Sequence, residues 1–475
     1  MNKIKPLCVD LDHTLVKTDL LHETFINAAK KNPLIIFSAF FWLLKGRSYL
    51  KKKLFDLSDV DIDTLPLNQS VIDYCKDQEK LGRQIYLVSA SSEKIVDNFL
   101  KKFSFFNDGW GSSGTHNLKG KNKAKFLVEK FGEKEFDYIG DCSADIPVWQ
   151  VSNNAMLVSY NNKNYHGINF HKIFPENRNQ ISTIINTFRP HQYSKNLLLL
   201  GAIFLSHNYF NILAWEQTIL SFISFSLIAS SIYILNDLSD LNNDRHHKVK
   251  KYRPLPSGSI TLPLGVILGF FSFMAGTGIS LLLPWKFTLA IFTYVLLNIL
   301  YSIILKKKPI FDVILLSSFY MIRLQAGGFA TDIYISHWLI TFSLFLFLSL
   351  GFLKRYSELF ELFHSHGFSI AKGRGYEVND LNIILMFGVG TAQLSILSMI
   401  LYLFSPNASR YYQNPKILFF NALIIFYWIS ILWFKGSKGK INQDPVKYAI
   451  KDQTSIICGV TVIFVLLLGK YFPPL

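Results

Sequence analysis

Cysteine is scarce in this 475-residue chain, which has only four, and their positions show no paired spacing. We therefore expect four reduced thiols rather than a disulfide framework. A secretory signal peptide is also missing, because the first five residues lead directly into a strand-like segment. Both absences favour cysteines that face the cytoplasm or the membrane.

Acidic residues are also relatively few. The chain has 33 Asp and Glu but 49 Lys and Arg, which gives a net charge of +16. Nucleic acid is one partner that suits so basic a chain. After about residue 190, however, the basic residues lie between apolar runs of ~20 residues, the length of a membrane-spanning helix. The positive-inside rule explains that pattern. We therefore expect an integral membrane protein and no nucleic-acid partner.

Nine apolar segments after residue 190 predict nine transmembrane helices. With the N-terminus in the cytoplasm, the inside loops carry 17 Lys and Arg and the outside segments carry 4. This bias predicts that the N-terminal region and the long basic loops share the cytoplasmic face, in bacteria that of the inner membrane. The predicted spans are 194–210, 216–237, 261–283, 286–305, 310–329, 336–353, 382–404, 416–434 and 453–472.

The N-terminal region alternates short apolar runs with helical patterns, which predicts an α/β domain with a parallel sheet. An insert at about 18–80 is expected to form a helical cap. Its apolar stretch 33–44 is too short to span a membrane, so we interpret it as a cap helix. A helix lying on the membrane surface is the alternative. The expected domains are 1–182, a linker 183–193, and an all-α polytopic domain 194–475.

Two carboxylates follow the first predicted strand, in Cys8-Val9-Asp10-Leu11-Asp12. Side chains two residues apart point the same way from an extended chain, and ligands bind at the carboxyl edge of a parallel sheet. One carboxylate can attack phosphorus while the other acts as acid and base. A solvated acidic loop is the alternative for this pair alone.

Three further polar segments follow in order along the N-terminal region. Ser89 ends the predicted strand IYLVS, where its hydroxyl can donate to a phosphoryl oxygen, and Lys123 can neutralise developing charge. Asp141 and Asp145 offer oxygen ligands for a hard cation. On the insert, the basic run 51–53 with Arg47 can meet a phosphorylated substrate, although a solvated helix face explains it equally well.

Together these segments resemble the four motifs of the haloacid dehalogenase (HAD) superfamily, with a phosphoserine-phosphatase type of cap. The resemblance covers about 1–180 and implies an aspartyl-phosphate on Asp10, with Asp12 as general acid and base. It also implies Mg²⁺ held by Asp10, Asp141 and the Asp12 carbonyl, with Asp145 in the same metal motif. Lys123 is preferred over the neighbouring lysines because of its offset from Leu127.

An aspartate cluster lies at the end of the second predicted span, in the segment 236–244. Asp237, Asp240 and Asp244 follow the spacing i, i+3 and i+7, which predicts one helix face. Carboxylates at a membrane edge need a partner, and Mg²⁺ bridging to phosphate oxygens would supply one. Lys251 and Arg253 then follow and can neutralise the same diphosphate. Solvated loop charges are the alternative.

NDxxDxxxD followed by KxRP resembles the UbiA superfamily of intramembrane prenyltransferases, over about 189–475. Within it, the segments 189–196, 301–306, 312–328 and 354–358 resemble the polyprenyl-phosphate phosphoribosyltransferases of the decaprenyl-phosphate type. Arg323 lies deep in a predicted span, where a charge marks a polar cavity. The residues expected to bind substrate are Lys195, Asn196, Asn236, Lys251, Arg253, Tyr301, Lys306, Arg323, Lys354, Arg355 and Tyr356.

One departure from the aromatic prenyltransferases shapes the expected reaction. Their second aspartate-rich motif is replaced here by Lys354-Arg355-Tyr356-Ser357-Glu358, and a basic pair suits an extra phosphate. The resemblance therefore implies Mg²⁺-dependent transfer of 5-phosphoribose from 5-phosphoribosyl 1-diphosphate to a polyprenyl phosphate. The HAD-like domain would then remove the 5-phosphate of the product.

Two other functions remain open from the sequence. The first is prenyl transfer to an aromatic acceptor, with the HAD-like domain acting on an unrelated metabolite. The second is a membrane anchor that merely displays the HAD-like domain. The expected partners are a membrane lipid and a phosphorylated small-molecule donor, and the sequence does not indicate the oligomeric state.

Overall fold

The structure is a computed structural model, which describes residues 4–57, 60–112, 117–160, 165, 167–176, 180–366, 375–441 and 444–473. The chain divides into two compact units. The first combines Met1–Pro190 with Ser230–Phe271, and the second combines His191–Ala229 with Ser272–Leu475. The aspartate-rich segment 236–244 therefore belongs to the same unit as the N-terminal region.

The first unit is built on a six-stranded parallel sheet, in the order β3-β2-β1-β4-β5-β6. The α/β class predicted for the N-terminal region is confirmed. The central strand is short and fully buried, and both of its neighbours pair with it in parallel. The strands are β1 (Leu7–Val9), β2 (Ile85–Ser92), β3 (Asp108–Ser112), β4 (Asp137–Gly140), β5 (Ala155–Tyr160) and β6 (Phe170–Glu176).

Helices surround this sheet, and three of them form a separate cap. A small core made by Ala28, Ile35 and Leu54 joins the first three helices. By contrast, Val71 and Ile72 of the fourth helix pack with the strands in the main core. The helices before the membrane segments are α1 (Leu20–Lys31), α2 (Ile35–Leu44), α3 (Arg47–Leu57), α4 (Gln69–Lys80), α5 (Glu93–Lys102), α6 (Lys121–Phe131), α7 (Ile146–Val151) and α8 (Gln180–Phe188).

The remaining helices are long and apolar, and eight helices among the described residues could cross a membrane. A polytopic helical membrane domain is thereby confirmed. The predicted first span 194–210 differs, because it is a 3-10 helix (Pro190–Leu200) followed by one short α-helix. The helices are α9 (Gly201–Leu205), α10 (Ile212–Ser239), α11 (Leu241–His246), α12 (Leu262–Ser280), α13 (Trp285–Ile303), α14 (Phe311–Thr331), α15 (His337–His366), α16 (Leu381–Leu403), α17 (Pro406–Tyr411), α18 (Phe419–Ser437), α19 (Pro445–Lys451) and α20 (Gln453–Tyr471).

Close packing in the second unit depends on small residues at particular contacts. A Cβ on Gly327 of α14 would collide with the backbone of Leu199, and one on Gly388 of α16 would collide with the Trp433 ring. Helices in a membrane approach closely where small residues let them. These two glycines therefore set how near α14 and α16 lie to their neighbours.

In the first unit, the ends of α10 and α12 pack directly against the N-terminal region. Ile234, Leu241 and Leu262 belong to one buried cluster, and Ile26 of α1 and Phe188 of α8 pack against it. Burial of apolar surface stabilises such contacts by about 25 cal/mol per Å². The segment around the aspartate-rich motif is thus held on the cap helix α1.

Candidate active sites

The first site lies at the carboxyl edge of the sheet. Asp10 directly follows β1, Ser89 lies in β2, and Asp141 directly follows β4. Because β1 pairs with β2 and β4 in parallel, these three positions meet at one edge. Lys123 approaches from α6, and its Nζ lies 2.9 Å from Oδ1 of Asp10. The structure thereby brings together the motif residues predicted from the sequence.

Asp10 is buried, and its environment disfavours charge. Burial raises the pKa of Asp10 to about 7, against the opposing effect of the Lys123 ammonium. Burial also raises the pKa of Asp141, and the carboxylates of Asp145 and Asp10 raise it further. Three carboxylates thus crowd one lysine. A hard dication fits this donor set because it would neutralise the excess negative charge.

Asp12 is fixed by two hydrogen bonds at this edge. Its Oδ1 accepts from the backbone N–H of Leu20 at 2.9 Å, and its Oδ2 accepts from Ser91 Oγ at 2.9 Å. Burial raises the pKa of Asp12 to about 6. A carboxyl with that pKa can carry a proton near neutral pH, as a general acid requires.

Ser89 and Lys51 both lie near this edge, one in β2 and the other on the cap. Ser89 is fully buried, and its Oγ accepts from the N–H of Ser91 at 2.9 Å, so its hydroxyl hydrogen remains available for donation. Lys51, on cap helix α3, places its Nζ 3.2 Å from the Ala90 carbonyl oxygen. The side chain of Arg47 lies outside the described residues.

Asp145 supports the loop after β4 rather than projecting freely. Its Oδ1 accepts from Tyr138 Oη at 2.8 Å, and its Oδ2 accepts from the Asp141 N–H at 3.2 Å. Tyr138 Oη also accepts from Lys123 Nζ at 2.8 Å. Gly140 is required here, since a Cβ would lie 2.7 Å from Oδ2 of Asp145. The carboxylate of Asp145 thus orients the lysine and the loop, and its role as a direct metal ligand stays a prediction.

The second site is the aspartate-rich motif at the end of α10. Asp237 and Asp244 are both buried and share one arginine, because Arg253 Nη1 lies 3.1 Å from Asp237 Oδ1 and 2.6 Å from Asp244 Oδ2. Arg189 donates a second bond to Asp237. A single continuous helix face does not form, because α10 ends at Ser239 and Asp240 stands at the junction.

The other predicted residues of this motif are more exposed than Asp237 and Asp244. Asp240 and Asn236 are half-buried. Lys251 is exposed, and its ammonium stacks over the Tyr252 ring at 5.1 Å. Lys250, which was not predicted, lies 3.8 Å from Asp244. Asp237 and Asp244 are therefore the buried carboxylates of the motif.

A buried ion pair joins this motif to the cap. Arg245, which directly follows Asp244, donates from Nη2 to Oε1 of Glu23 at 2.6 Å and from Nη1 to Oε2 at 3.1 Å. Glu23 is 1% exposed and Arg245 is 9% exposed. Glu23 lies in the first turn of α1. The first residue of that helix is Leu20, whose backbone N–H donates to the Asp12 carboxylate. One short path of contacts thus connects the two carboxylate sites.

Arg323 in the second unit donates a hydrogen bond to a protein group from each of its three nitrogens. Its Nε donates to Asn196 Oδ1 at 2.8 Å, its Nη2 to Tyr294 Oη at 2.8 Å, and its Nη1 to the Phe319 carbonyl at 2.7 Å. Its guanidinium also stacks over Phe225 and Tyr294. Each of its three nitrogens therefore has an acceptor. In this structure it fixes Asn196 and Tyr294, and direct contact with substrate stays a prediction.

Arg355 is the centre of a second buried network in that unit. It donates to Asp312, to Glu358 at 2.6 Å and to Tyr301 Oη at 3.3 Å, while Tyr376 donates to Asp312 at 2.6 Å. Its partners include two carboxylates, so the replacement for the second aspartate motif is less basic than the sequence indicates.

The remaining predicted residues of the second unit differ in their surroundings. Lys195 pairs with Asp444 at 3.2 Å, and Lys354 interacts electrostatically with both. Lys306 is half-buried. Tyr356 lies in an apolar core and contacts the ring of Trp433. Lys195 and Lys354 therefore form the basic cluster of this unit, and Tyr356 contributes mainly packing.

Several residues of these sites escaped the sequence reasoning. Tyr138 and Ser91 carry no motif of their own, since a strand tyrosine or a loop serine is common in any sheet. Glu23 and Asp444 lie far along the chain from their partners, so no local spacing reveals them. Arg189 was part of the motif quoted for the resemblance, and its bond to Asp237 gives it a place in the site.

The chain belongs to the UbiA prenyltransferase family, whose model matches residues 197–444, about half of the chain. It is also similar to the uncharacterized protein y4nM of Sinorhizobium fredii, with 32% identity over 463 residues covering 96% of this chain and 89% of that one. It is similar to the decaprenyl-phosphate phosphoribosyltransferase of Mycolicibacterium smegmatis, with 29% identity over 294 residues, which cover 58% of this chain and 88% of that one.

Two solved structures show remote likenesses to separate parts of the chain. A UbiA homolog from Archaeoglobus fulgidus bound to GPP and Mg²⁺ covers 60% of this chain and 98% of its own, with 15% identity and a TM-score of 0.46. A substrate-bound phosphoserine phosphatase covers 33% of this chain and 87% of its own, with 16% identity and a TM-score of 0.25.

Proposed function

We propose that this protein transfers 5-phosphoribose from 5-phosphoribosyl 1-diphosphate to a polyprenyl phosphate, and that its N-terminal domain removes the 5-phosphate of the product. The observation that carries the proposal is the union of the two carboxylate sites in one compact unit, through the Glu23–Arg245 ion pair. Similarity to decaprenyl-phosphate phosphoribosyltransferases supports the donor and the acceptor.

The transfer reaction needs a site that can hold a leaving diphosphate. In the proposed step, a phosphate oxygen of the lipid bonds to C1 of the ribose while the bond from C1 to the diphosphate breaks. Arg189 and Arg253 offer fork-shaped donors for that diphosphate, and Asp237 and Asp244 suit Mg²⁺. When bound, Mg²⁺ would supply charge neutralisation for the leaving group. Lys195 and Lys354 are proposed to bind a further phosphate.

The second reaction is the hydrolysis of a phosphate monoester. Asp10 would attack phosphorus to form an aspartyl-phosphate, and Asp12 would give its proton to the departing hydroxyl oxygen. Lys123 and Ser89 would donate to the phosphoryl oxygens, and Lys51 would bind the substrate from the cap. Water would then release phosphate, with Asp12 taking its proton. Mg²⁺ on Asp10, Asp141 and the Asp12 carbonyl would neutralise charge on the phosphoryl group.

Both reactions are proposed to take place on the cytoplasmic face. The distribution of Lys and Arg between the predicted loops supports this orientation. Because both carboxylate sites lie in one chain, the phosphorylated product would meet the second site at a high effective concentration.

A comparison of two donors in separate incubations tests the transferase proposal. Purified protein is incubated with Mg²⁺, polyprenyl phosphate and either ribose-labelled 5-phosphoribosyl 1-diphosphate or a labelled prenyl diphosphate with an aromatic acceptor. We expect label from the ribose donor in the lipid fraction and none from the prenyl donor on the ring. Prenylation of the ring without ribosyl transfer would replace the proposal with the aromatic alternative.

A further inference from the structure

The cap carries an apolar helix that the rest of the first unit leaves largely uncovered. Within α2, whose ten residues are all described, Ile35 alone is buried. Phe37 is 70% exposed, Phe41 63% and Leu44 72%, values that match the 65% of Phe271 on the membrane-length helix α12. Contiguous exposed apolar surface of this kind marks an interaction site.

The charges around α2 have one sign. Residues 24–55 contain seven Lys and Arg and no Asp or Glu. Lys30 and Lys31 end α1 just before α2, and Lys45 directly follows α2, with all three exposed. An apolar helix with basic residues at both ends suits a membrane interface, because the lysines can pair with anionic headgroups.

The contacts of α1 keep α2 near the ends of two membrane-length helices. Ile26 of α1 packs on the cluster that contains Ile234 of α10 and Leu262, the first residue of α12. From Ile26 to Ile35, the first residue of α2, the chain takes five steps inside α1 and four through a connecting turn. Even with that turn fully extended the path is at most about 22 Å, so α2 begins near the packed ends of two membrane-length helices.

We propose that α2 lies in the bilayer surface, with its phenylalanines about 5–10 Å into the boundary between headgroups and acyl chains. Ten residues are too few to cross the bilayer, so α2 would lie parallel to its plane. The occupant of the exposed face is a lipid surface rich in anionic headgroups. The helix would hold the cap, and with it Lys51, at the level where a lipid-borne phosphate is presented.

Position-specific quenching tests this proposal on the full-length chain. Phe40→Cys and Lys80→Cys are each labelled with a fluorophore in nanodiscs that hold one copy and contain phosphatidylglycerol. Lys80 on α4 is an exposed polar control, and labelled wild type corrects for the native cysteines. We expect nitroxide-labelled lipid to quench the Phe40→Cys probe severalfold more than the control, and aqueous iodide to quench it severalfold less.

Two outcomes would overturn the proposal. Equal iodide quenching of both probes would mean that α2 is exposed to water. Protection of the Phe40→Cys probe from both quenchers would mean that protein covers the helix. Because each nanodisc holds one copy, a second chain cannot produce the expected result.

A label-free measurement excludes an effect of the fluorophore. Hydrogen exchange of residues 35–44 is compared in nanodiscs of phosphatidylglycerol and of neutral phosphatidylcholine, for wild type and for the variant Phe37→Asp/Phe40→Asp. We expect severalfold slower exchange in the anionic bilayer for wild type and loss of that difference in the variant. Identical exchange of wild type in both bilayers would contradict the role of anionic lipid.

Discussion

The two carboxylate sites of the first unit balance their charge in different ways. Around Asp10, two buried carboxylates and the half-buried one of Asp141 surround Lys123, and burial raises the pKa of both Asp10 and Asp141. Around Asp237 and Asp244, two arginines and Lys250 already neutralise the carboxylates. The first site is short of positive charge and suits a cation, whereas the second already holds three cationic side chains and suits a diphosphate that brings its own Mg²⁺.

The largest expected effect comes from disabling one carboxylate site at a time and measuring both activities. Asp10→Asn removes the proposed nucleophile, so phosphate release should fall by about 10⁴- to 10⁶-fold, the range for loss of a nucleophile. Ribosyl transfer should be retained. The measurement is phosphate release from supplied phosphoribosyl lipid, beside transfer of labelled ribose.

Asp244→Asn is the corresponding substitution at the second site. It should abolish transfer while leaving phosphate release from supplied lipid near the wild-type rate. If either substitution stopped both activities in folded protein, the two sites would not act separately.

Arg253 should produce the next largest effect because it contacts both aspartates of the motif. Arg253→Ala should lower transfer by about 10²- to 10³-fold, as expected when one preorganised charge donor is removed. Arg253→Lys keeps the charge but not the fork, so its loss should be smaller. Steady-state transfer assays check both variants, and equal activity of Arg253→Ala and wild type would exclude Arg253 from the site.

The Glu23–Arg245 pair should matter for stability rather than for either reaction. Glu23→Gln leaves the Arg245 guanidinium buried without its counter-charge, which should cost about 3–5 kcal/mol. The double variant Glu23→Leu/Arg245→Met should recover much of that loss. The measurement is the midpoint of thermal unfolding, followed with a thiol-reactive dye. The dye reports unfolding because Cys8 and Cys75 are buried in the folded protein. An unchanged midpoint for Glu23→Gln would show that the pair does not hold the segment.

Lys51 should give the smallest effect. Because it approaches the first site from the cap, Lys51→Ala should raise KM for phosphate release by about tenfold, the loss of roughly one charged contact. The control Lys53→Ala, whose exposed side chain lies over Tyr49, should leave KM unchanged. A Lys51→Ala variant with wild-type KM would remove the cap lysine from substrate binding.

The sequence predicted the parts of these sites that depend on local spacing. Asp10 and Asp12 were predicted at the carboxyl edge of the sheet because they follow a short apolar run, and the resemblance to a set of four motifs grouped Ser89 and Asp141 with them. Arg323 was predicted to line a polar cavity because a charge deep in an apolar helix is costly unless it has polar surroundings. Local spacing also identified Arg253 beside the aspartates, in a short basic run after the helix.

What the sequence could not predict depends on contacts between distant segments. Arg245 and Glu23 are separated by 222 positions, and neither has a motif. The hydrogen bonds from Arg323 to Asn196 and Tyr294 likewise cannot be predicted from local sequence. The segment 194–210 is apolar enough for a span, yet it folds as a 3-10 helix and a short α-helix, and composition does not distinguish these outcomes.

In the proposed function, one chain makes a phosphoribosyl lipid and then dephosphorylates it. Mass spectrometry of the lipid formed from Mg²⁺, polyprenyl phosphate and 5-phosphoribosyl 1-diphosphate tests it directly, with wild type beside Asp10→Asn. We predict a dephosphorylated ribosyl lipid from wild type and a phosphoribosyl lipid from the variant. The dephosphorylated lipid from both proteins, or a ribosyl lipid from neither, would contradict the account.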